Sequence, residues 1–313
     1  MNFVFVFPGQ GSQSVGMLAP LADHPLVRDT FAEASELLGE DLWALAADGP
    51  EEALSRTVIT QPLMLTADSA TWRVWCASHA ERPVALAGHS LGEYAALVAA
   101  GSLGFADAVR LTRARAELMQ SAVPEGLGGM AAVLGLDDAA VEAACAEAAQ
   151  GEVVEAANFN SPGQVVIAGT RSAVQRGIDA AKARGAKRAV LLPMSVPSHC
   201  SLMLQAAERL AERLAEVEWQ PPAIPVHHNA DGASYSDVAA IRAALKRQLH
   251  SPVRWSGTLA ALADTGIVAI GECGPGKVLA PLCKRIDPRL QGTALLDAAT
   301  MEGFAALIAG EPA

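Results

Sequence analysis

Ser90 stands between two glycines in Gly88-x-Ser90-x-Gly92, after the short apolar run Val84–Ala87 and before a helical pattern that opens at Glu93. A serine hydroxyl is a poor nucleophile until it is exposed, held and deprotonated. A sharp strand-to-helix turn lifts it above a sheet, and the glycines leave room for the crowded backbone. The N–H groups at the helix start can then stabilise an oxyanion. The chemistry indicated is acyl transfer through a serine ester. The same five residues also describe a turn whose serine only caps the helix, so the partners matter.

Seven histidines are candidates for the base: His24, His79, His89, His199, His227, His228 and His250. His89 adjoins Ser90, but neighbours on a tight turn point apart. His24 and His79 lie in polar, surface-like contexts. The pair His227–His228 lacks a carboxylate at ligand spacing and reads as structural, not as a metal site. His199 lies in Val196-Pro197-Ser198-His199-Cys200, between a strand end and a helix, where an open α/β sheet gathers its ligand-facing loops. Cys200 is a rival nucleophile with no second histidine placed to activate it, which fits a buried, inert thiol.

A helix predicted over 105–122 carries Arg110, Arg113 and Arg115. Arg113 and Arg110 fall towards the polar side. Arg115 interrupts the apolar stripe, with Leu111, Thr112, Leu118 and Met119 as its helical neighbours. A guanidinium there needs an anionic partner, because burying an unpaired charge costs several kcal/mol. That partner is either a structural carboxylate or a substrate carboxylate held in a bidentate fork. An esterase for neutral esters has no use for it, whereas a transferase of a dicarboxylic half-thioester does.

These groups need an α/β frame. Phe3–Phe7 reads as a buried strand that stops at Pro8-Gly9, and Val84–Ala87 as a second. Helices are predicted over 26–38, 61–76 and 93–100, as well as 105–122. From 128 to 192 the pattern becomes β-α-β-β-α-β. The strands are near 130–134, 153–158, 165–169 and 187–192, and the helices cover 137–149 and 172–184. That is the split βαβ order of a ferredoxin-like subdomain inserted into the main domain. The main domain resumes at 193 with a helix over 202–217, strands at 226–229 and 267–271, and a helix from Val278. Alternating strands and helices predict a largely parallel sheet covered on both faces. The domains expected are therefore 1–127 with 193–313, and 128–192.

The chain has 313 residues, 51% hydrophobic but only 4% aromatic, so its core is expected to be aliphatic and helix-rich. The net charge of -11 argues against nucleic acid and against an anionic membrane surface. Five scattered cysteines without a C-x-x-C pair fit a reduced cytoplasmic protein with neither disulfides nor zinc. Phe3–Phe7 is too short and lacks the basic flank of a signal peptide. Few exposed apolar patches are expected, which is compatible with a monomer.

The motifs together resemble the malonyl-CoA:acyl carrier protein transacylases of bacterial fatty acid synthesis. The resemblance rests on Phe5-Val6-Phe7-Pro8-Gly9-Gln10-Gly11-Ser12-Gln13, Ile59-Thr60-Gln61-Pro62 and Gly88-His89-Ser90-Leu91-Gly92-Glu93-Tyr94. It continues through Arg115 with Met119-Gln120, the run 158–164, Val196–His199, Gln248 before Pro252-Val253, and Gly274–Leu279. It implies an α/β-hydrolase-like core with a ferredoxin-like insertion. It implies Ser90 as nucleophile, His199 as general base and acid, and Arg115 on the malonyl carboxylate. The backbone N–H groups of Gln10 and Leu91 would form the oxyanion hole. Gln248 would support His199 through its backbone carbonyl, and Asn160 would sit in the cleft between subdomains. The implied partners are malonyl-CoA, coenzyme A and the acyl carrier protein, with no metal or redox cofactor. The segment 229–237 is less typical of the family. Three alternatives remain: a serine thioesterase or hydrolase, a discrete acyltransferase of a polyketide or malonate decarboxylase system, and a non-catalytic carrier-binding module. Docking an acidic carrier would need basic groups, for which Lys182, Arg184, Lys187, Arg188, Lys277, Lys284 and Arg285 are candidates.

Overall fold

The computed structural model describes residues 1–194 and 196–310. Among them nine strands form: β1 (Phe3–Phe7), β2 (Ala85–Gly88), β3 (Gly128–Leu134), β4 (Val154–Ser161), β5 (Gln164–Thr170), β6 (Arg188–Leu191), β7 (Val226–His227), β8 (Ala269–Glu272) and β9 (Gln291–Ala294). They make two sheets. The first is parallel, in the order β7-β2-β1-β8-β9. The second is antiparallel, in the order β4-β5-β3-β6.

β1 shows why the parallel sheet needs cover on both faces. Its alternating side chains enter two separate cores. Phe3, Phe5 and Phe7 pack with Leu63, Trp75 and Phe304 on one side, while Val4 and Val6 meet Trp255, Leu259 and Leu282 on the other. Edge-to-face contacts join Phe3 and Phe5 to Trp75 at 6.2 and 5.0 Å, centroid to centroid. The antiparallel sheet buries Val133, Val165 and Ile167 against the helices Asp138–Ala149 and Arg171–Ala183. Its other face carries Met130, Ala157 and Ala168 against Cys200. This second sheet is anchored to the first unit through β4. The Phe159 N–H donates to the Val253 carbonyl, and the Val253 N–H to that of Ala157, both at 2.9 Å. Register shifts on either side of that anchor turn the end of β4 towards the parallel sheet.

The expected elements appear with small shifts of local cause. The helix expected from Val278 runs over Ala280–Ile286. The Glu272 carboxylate takes the N–H groups of Val278, Leu279 and Ala280 at 3.0, 2.9 and 2.8 Å, and so caps the chain before the helix closes. The strand expected to reach Asn229 stops at His227, because Asn229 turns away to other partners. The helix expected over 202–217 starts as a 3-10 turn, Ser201–Met203, and continues as Leu204–Ala215. No element was expected over Val238–His250, Trp255–Asp264, β9 or Ala298–Ala309, all of which are regular. No helix among the described residues is long and apolar enough to cross a membrane.

Candidate active site

Ser90 occupies the turn between β2 and the helix Gly92–Ala99. Its φ is +52°, a left-handed value that a side-chain-bearing residue adopts only when its surroundings impose it. The flanking glycines explain how the turn fits. A Cβ on Gly88 would overlap the backbone of Gly92 and Glu93, and one on Gly92 would overlap that of Phe7 and Pro8. Asn229 locks the turn from outside. Its Oδ1 accepts from the Ser90 N–H and its Nδ2 donates to the Gly88 carbonyl, both at 2.6 Å.

His199 faces Ser90 with Nε2 at 2.7 Å from Oγ. Its Nδ1 lies 2.8 Å from the Gln248 backbone carbonyl, which can only accept. The proton therefore sits on Nδ1, and the Nε2 lone pair points at the hydroxyl. A carbonyl takes the position that a carboxylate holds in a Ser-His-Asp triad. His199 is itself in the left-handed region, at φ +62°. It is 2% exposed. Burial above all, and then the charge of Arg115, pull its pKa down to about 3. The ring is thus a neutral base through the physiological range.

Arg115 is 1% exposed and meets no carboxylate within ion-pair distance among the described residues. Its Nη1 donates to Gln61 Oε1 at 2.8 Å, and its Nη2 to Gln248 Oε1 at 3.0 Å and to Ser90 Oγ at 3.2 Å. Its Nε has no partner. Tyr94 lies beneath, with the guanidinium carbon 5.7 Å from the ring centroid. A buried cation held by neutral amides beside a nucleophile is a receptor for an anion. Of the two partners open to Arg115 in the sequence, a structural carboxylate is not there. Arg113 does have one, Glu40 at 2.6 Å.

These groups line a cleft of about 190 Å³ between the two sheets. Gln10 and Leu91 border it, and neither backbone N–H has an acceptor among the described residues. Both donors are therefore free for an oxyanion. Asn160 enters from β4, and its Oδ1 accepts from His89 Nε2 at 2.8 Å. His89 thus points away from Ser90 and ties the nucleophile turn to the antiparallel sheet. Of the expected site residues, Ser90, His199, Arg115, Gln10, Leu91 and Asn160 line this cleft, and Gln248 stands buried behind it, bonded to His199, Arg115 and the Ser90 carbonyl.

Other expected residues fall outside the chemistry. Cys200 is fully buried, its Sγ donates to the Pro197 carbonyl at 3.1 Å, and burial raises its pKa to about 12. His24 caps a helix through Nδ1, and His79 stacks on Trp75 at 4.1 Å. His228 is structural, with its Nδ1 at 2.7 Å from Glu93 Oε1. Gln61, Glu93 and Asn229 received no role from the sequence. Gln61 and Glu93 lie within matched motifs, and Glu93 is a carboxylate on an otherwise apolar helix, which was a usable signal. Asn229 lies in the segment that looks least typical, and only the fold brings it to Ser90.

Residues 4–284 match the family described as acyl transferase domain. The chain belongs to that family, among its malonyl CoA-acyl carrier protein transacylases. The transacylase of that name from Salmonella typhimurium is 56% identical over 301 residues, covering 96% of this chain and 97% of the relative. The one from Bacillus subtilis is 42% identical over 303 residues, covering 96% and 95%. Among solved structures, an acyl carrier protein S-malonyltransferase from Vibrio cholerae is 54% identical and superposes with a TM-score of 0.94, covering 97% of this chain and 99% of the other. A malonyl-transacylase solved in complex with a type II polyketide acyl-carrier protein is 51% identical, with a TM-score of 0.95 over 97% and 99%.

Proposed function

We propose that this chain transfers the malonyl group of malonyl-CoA to the phosphopantetheine thiol of an acyl carrier protein, through a malonyl ester on Ser90. The observation that carries the proposal is the unpaired Arg115 guanidinium, 3.2 Å from the hydroxyl that His199 contacts at 2.7 Å. A nucleophile beside a buried cation suits an acyl group that ends in a carboxylate.

His199 Nε2 takes the Ser90 proton as Oγ attacks the thioester carbon. The oxyanion that forms rests on the N–H groups of Gln10 and Leu91, each worth about 3 kcal/mol. The imidazolium, steadied by the Gln248 carbonyl, returns the proton to the departing thiolate, and coenzyme A leaves. In the second half the carrier thiol gives its proton to His199 and attacks the ester, and Ser90 recovers its proton. Asn160 closes the cleft from the antiparallel side and helps keep water from the ester.

The fold we assign to this chemistry is an α/β-hydrolase-like core, 1–127 with 193–313, bearing a ferredoxin-like subdomain at 128–192. Ser195 and residues 311–313 lie outside the described residues. The order β4-β5-β3-β6 supports the ferredoxin-like assignment, since it is the order of a split βαβ unit. For the carrier we favour the basic side chains of the core. Lys277 precedes Val278, which lines the cleft and is 44% exposed, and Arg285 reaches cleft-lining Gln164 at 3.2 Å. On the insertion, Arg184 is already paired with Glu147 at 2.6 Å. The likeness to a transacylase solved with a polyketide carrier protein favours a second reading, in which the same reaction serves a polyketide carrier.

The test is to incubate the enzyme with malonyl-CoA and a holo carrier protein and weigh the carrier. Malonyl-carrier should form in step with coenzyme A release. Release of free malonate with no carrier product would make the protein a hydrolase instead.

A further inference from the structure

The mechanism above leaves a fully buried carboxylate unused. Glu93 opens the helix behind Ser90 and is 0% exposed. Both of its oxygens are engaged. Oε1 accepts from His228 Nδ1 at 2.7 Å, and Oε2 accepts from the Asn229 N–H at 2.9 Å and from Gln248 Nε2 at 3.0 Å. Two of those contacts, Asn229 and Gln248, lead back to the site. Asn229 holds the Ser90 turn. Gln248 Nε2 also donates to the Ser90 carbonyl at 2.7 Å, while its Oε1 accepts from Arg115 Nη2 at 3.0 Å.

An amide has two nearly isosteric ends, and its function here depends on which end faces Arg115. A carboxylate only accepts. The Ser90 carbonyl likewise only accepts, so Glu93 and that carbonyl together hold the NH2 of Gln248 on their side and leave the oxygen towards Arg115. With the amide reversed, Arg115 would meet a donor and lose one of its neutral holders. We propose, on the basis of the malonyl-transfer reading, that Glu93 is a positioning residue. With the Ser90 carbonyl it fixes the orientation of the Gln248 amide, and through it sets Arg115 against Ser90 and the preference for an acyl group that ends in a carboxylate. The acid absent from the Ser-His pair is thus present one amide away, and it serves the cation.

The test compares kcat/KM for malonyl-CoA and acetyl-CoA in wild type, Glu93→Gln, Gln248→Met and the double variant. Gln248→Met keeps the backbone carbonyl under His199 and removes only the amide. Losing one charge-assisted hydrogen bond should cut malonyl transfer roughly 10- to 100-fold. The malonyl-over-acetyl ratio should fall by about tenfold in both single variants, and the double variant should fall no further than either single one. If both substrates fall equally and the ratio holds, Glu93 is only structural. If the two effects multiply in the double variant, Glu93 does not act through Gln248. Should Glu93→Gln not fold, an unchanged ratio in Gln248→Met alone overturns the assignment. A wild type that takes no malonyl group sinks the transferase reading, and Glu93's role with it. A wild type that does, with variants of unaltered ratio, sinks only the role of Glu93.

Discussion

Replacing Arg115 by alanine separates the cation from the rest of the machinery. The guanidinium is 1% exposed and its neighbours within hydrogen-bond reach are neutral, Gln61, Gln248 and Ser90. A malonyl carboxylate entering the cleft would thus be its anionic partner in a nearly dry site. Removing one member of such a buried pair costs about 3–5 kcal/mol, because the other charge stays desolvated and unpaired. At about 1.4 kcal/mol per tenfold, kcat/KM for malonyl-CoA should fall by roughly 10²-fold to several thousandfold. Acetyl-CoA brings no carboxylate, so its rate should change by less than about tenfold, the equivalent of one lost hydrogen bond to Ser90. Arg115→Lys keeps the charge but not the planar fork, and should recover only part of the loss. Coenzyme A release, followed for both thioesters at equal enzyme concentration, reads the two constants directly. Equal losses for malonyl and acetyl would refute the carboxylate clamp, and so would a malonyl loss below about fivefold, which is under 1.4 kcal/mol.

Four further outcomes follow from the site. His199 has a pKa lowered to about 3 by burial and by Arg115, so the acid limb of kcat/KM should lie well below pH 6.5. An acid limb centred near 6.5 would mean that the ring is not held neutral by its surroundings. The same shift links to stability. Between about 6.5 and 3 the unfolded chain binds a proton on this histidine that the folded chain refuses, so stability is lost as pH falls through that window. In His199→Ala, melting temperature should therefore depend less on pH there. Asn229→Ala leaves the Ser90 N–H and the Gly88 carbonyl without their partner, both bonded at 2.6 Å. It should cost about 2–4 kcal/mol in urea unfolding and lower acylation of Ser90, and a cost within 0.5 kcal/mol would contradict that anchoring. Cys200, with a pKa near 12 and a buried Sγ, should resist iodoacetamide in the native protein while transfer activity persists. Rapid inactivation through Cys200 would reopen its case as the nucleophile.

Local patterns carried much of this architecture. The Gly-x-Ser-x-Gly turn, the alternation in β1 and the β-α-β-β-α-β run were all legible, because each is set within a few residues. The partner of Ser90 was not legible from the residues alone. His199 lies 109 positions away, and position on a sheet edge left it one candidate among seven until the resemblance to a family singled it out. Arg115 was visible as a charge in an apolar stripe, but its isolation from carboxylates depends on which helices face it. Asn229 and Glu93 act over 139 and 155 positions, on Ser90 and Gln248 respectively. Only the assembled parallel sheet, with β2 beside β7, brings them together. Ala298–Ala309, which carried no expectation, is largely apolar around its circumference, so its periodicity is weak even though Phe304 fills the core against Phe3 and Phe5.

The malonyl ester on Ser90 is the step on which the rest depends. The purified chain should be mixed with excess malonyl-CoA, quenched in acid and weighed intact. Wild type should gain the mass of one malonyl group, and Ser90→Ala should gain none. If wild type shows no increment, or if Ser90→Ala still acquires it, acyl transfer through this serine is wrong.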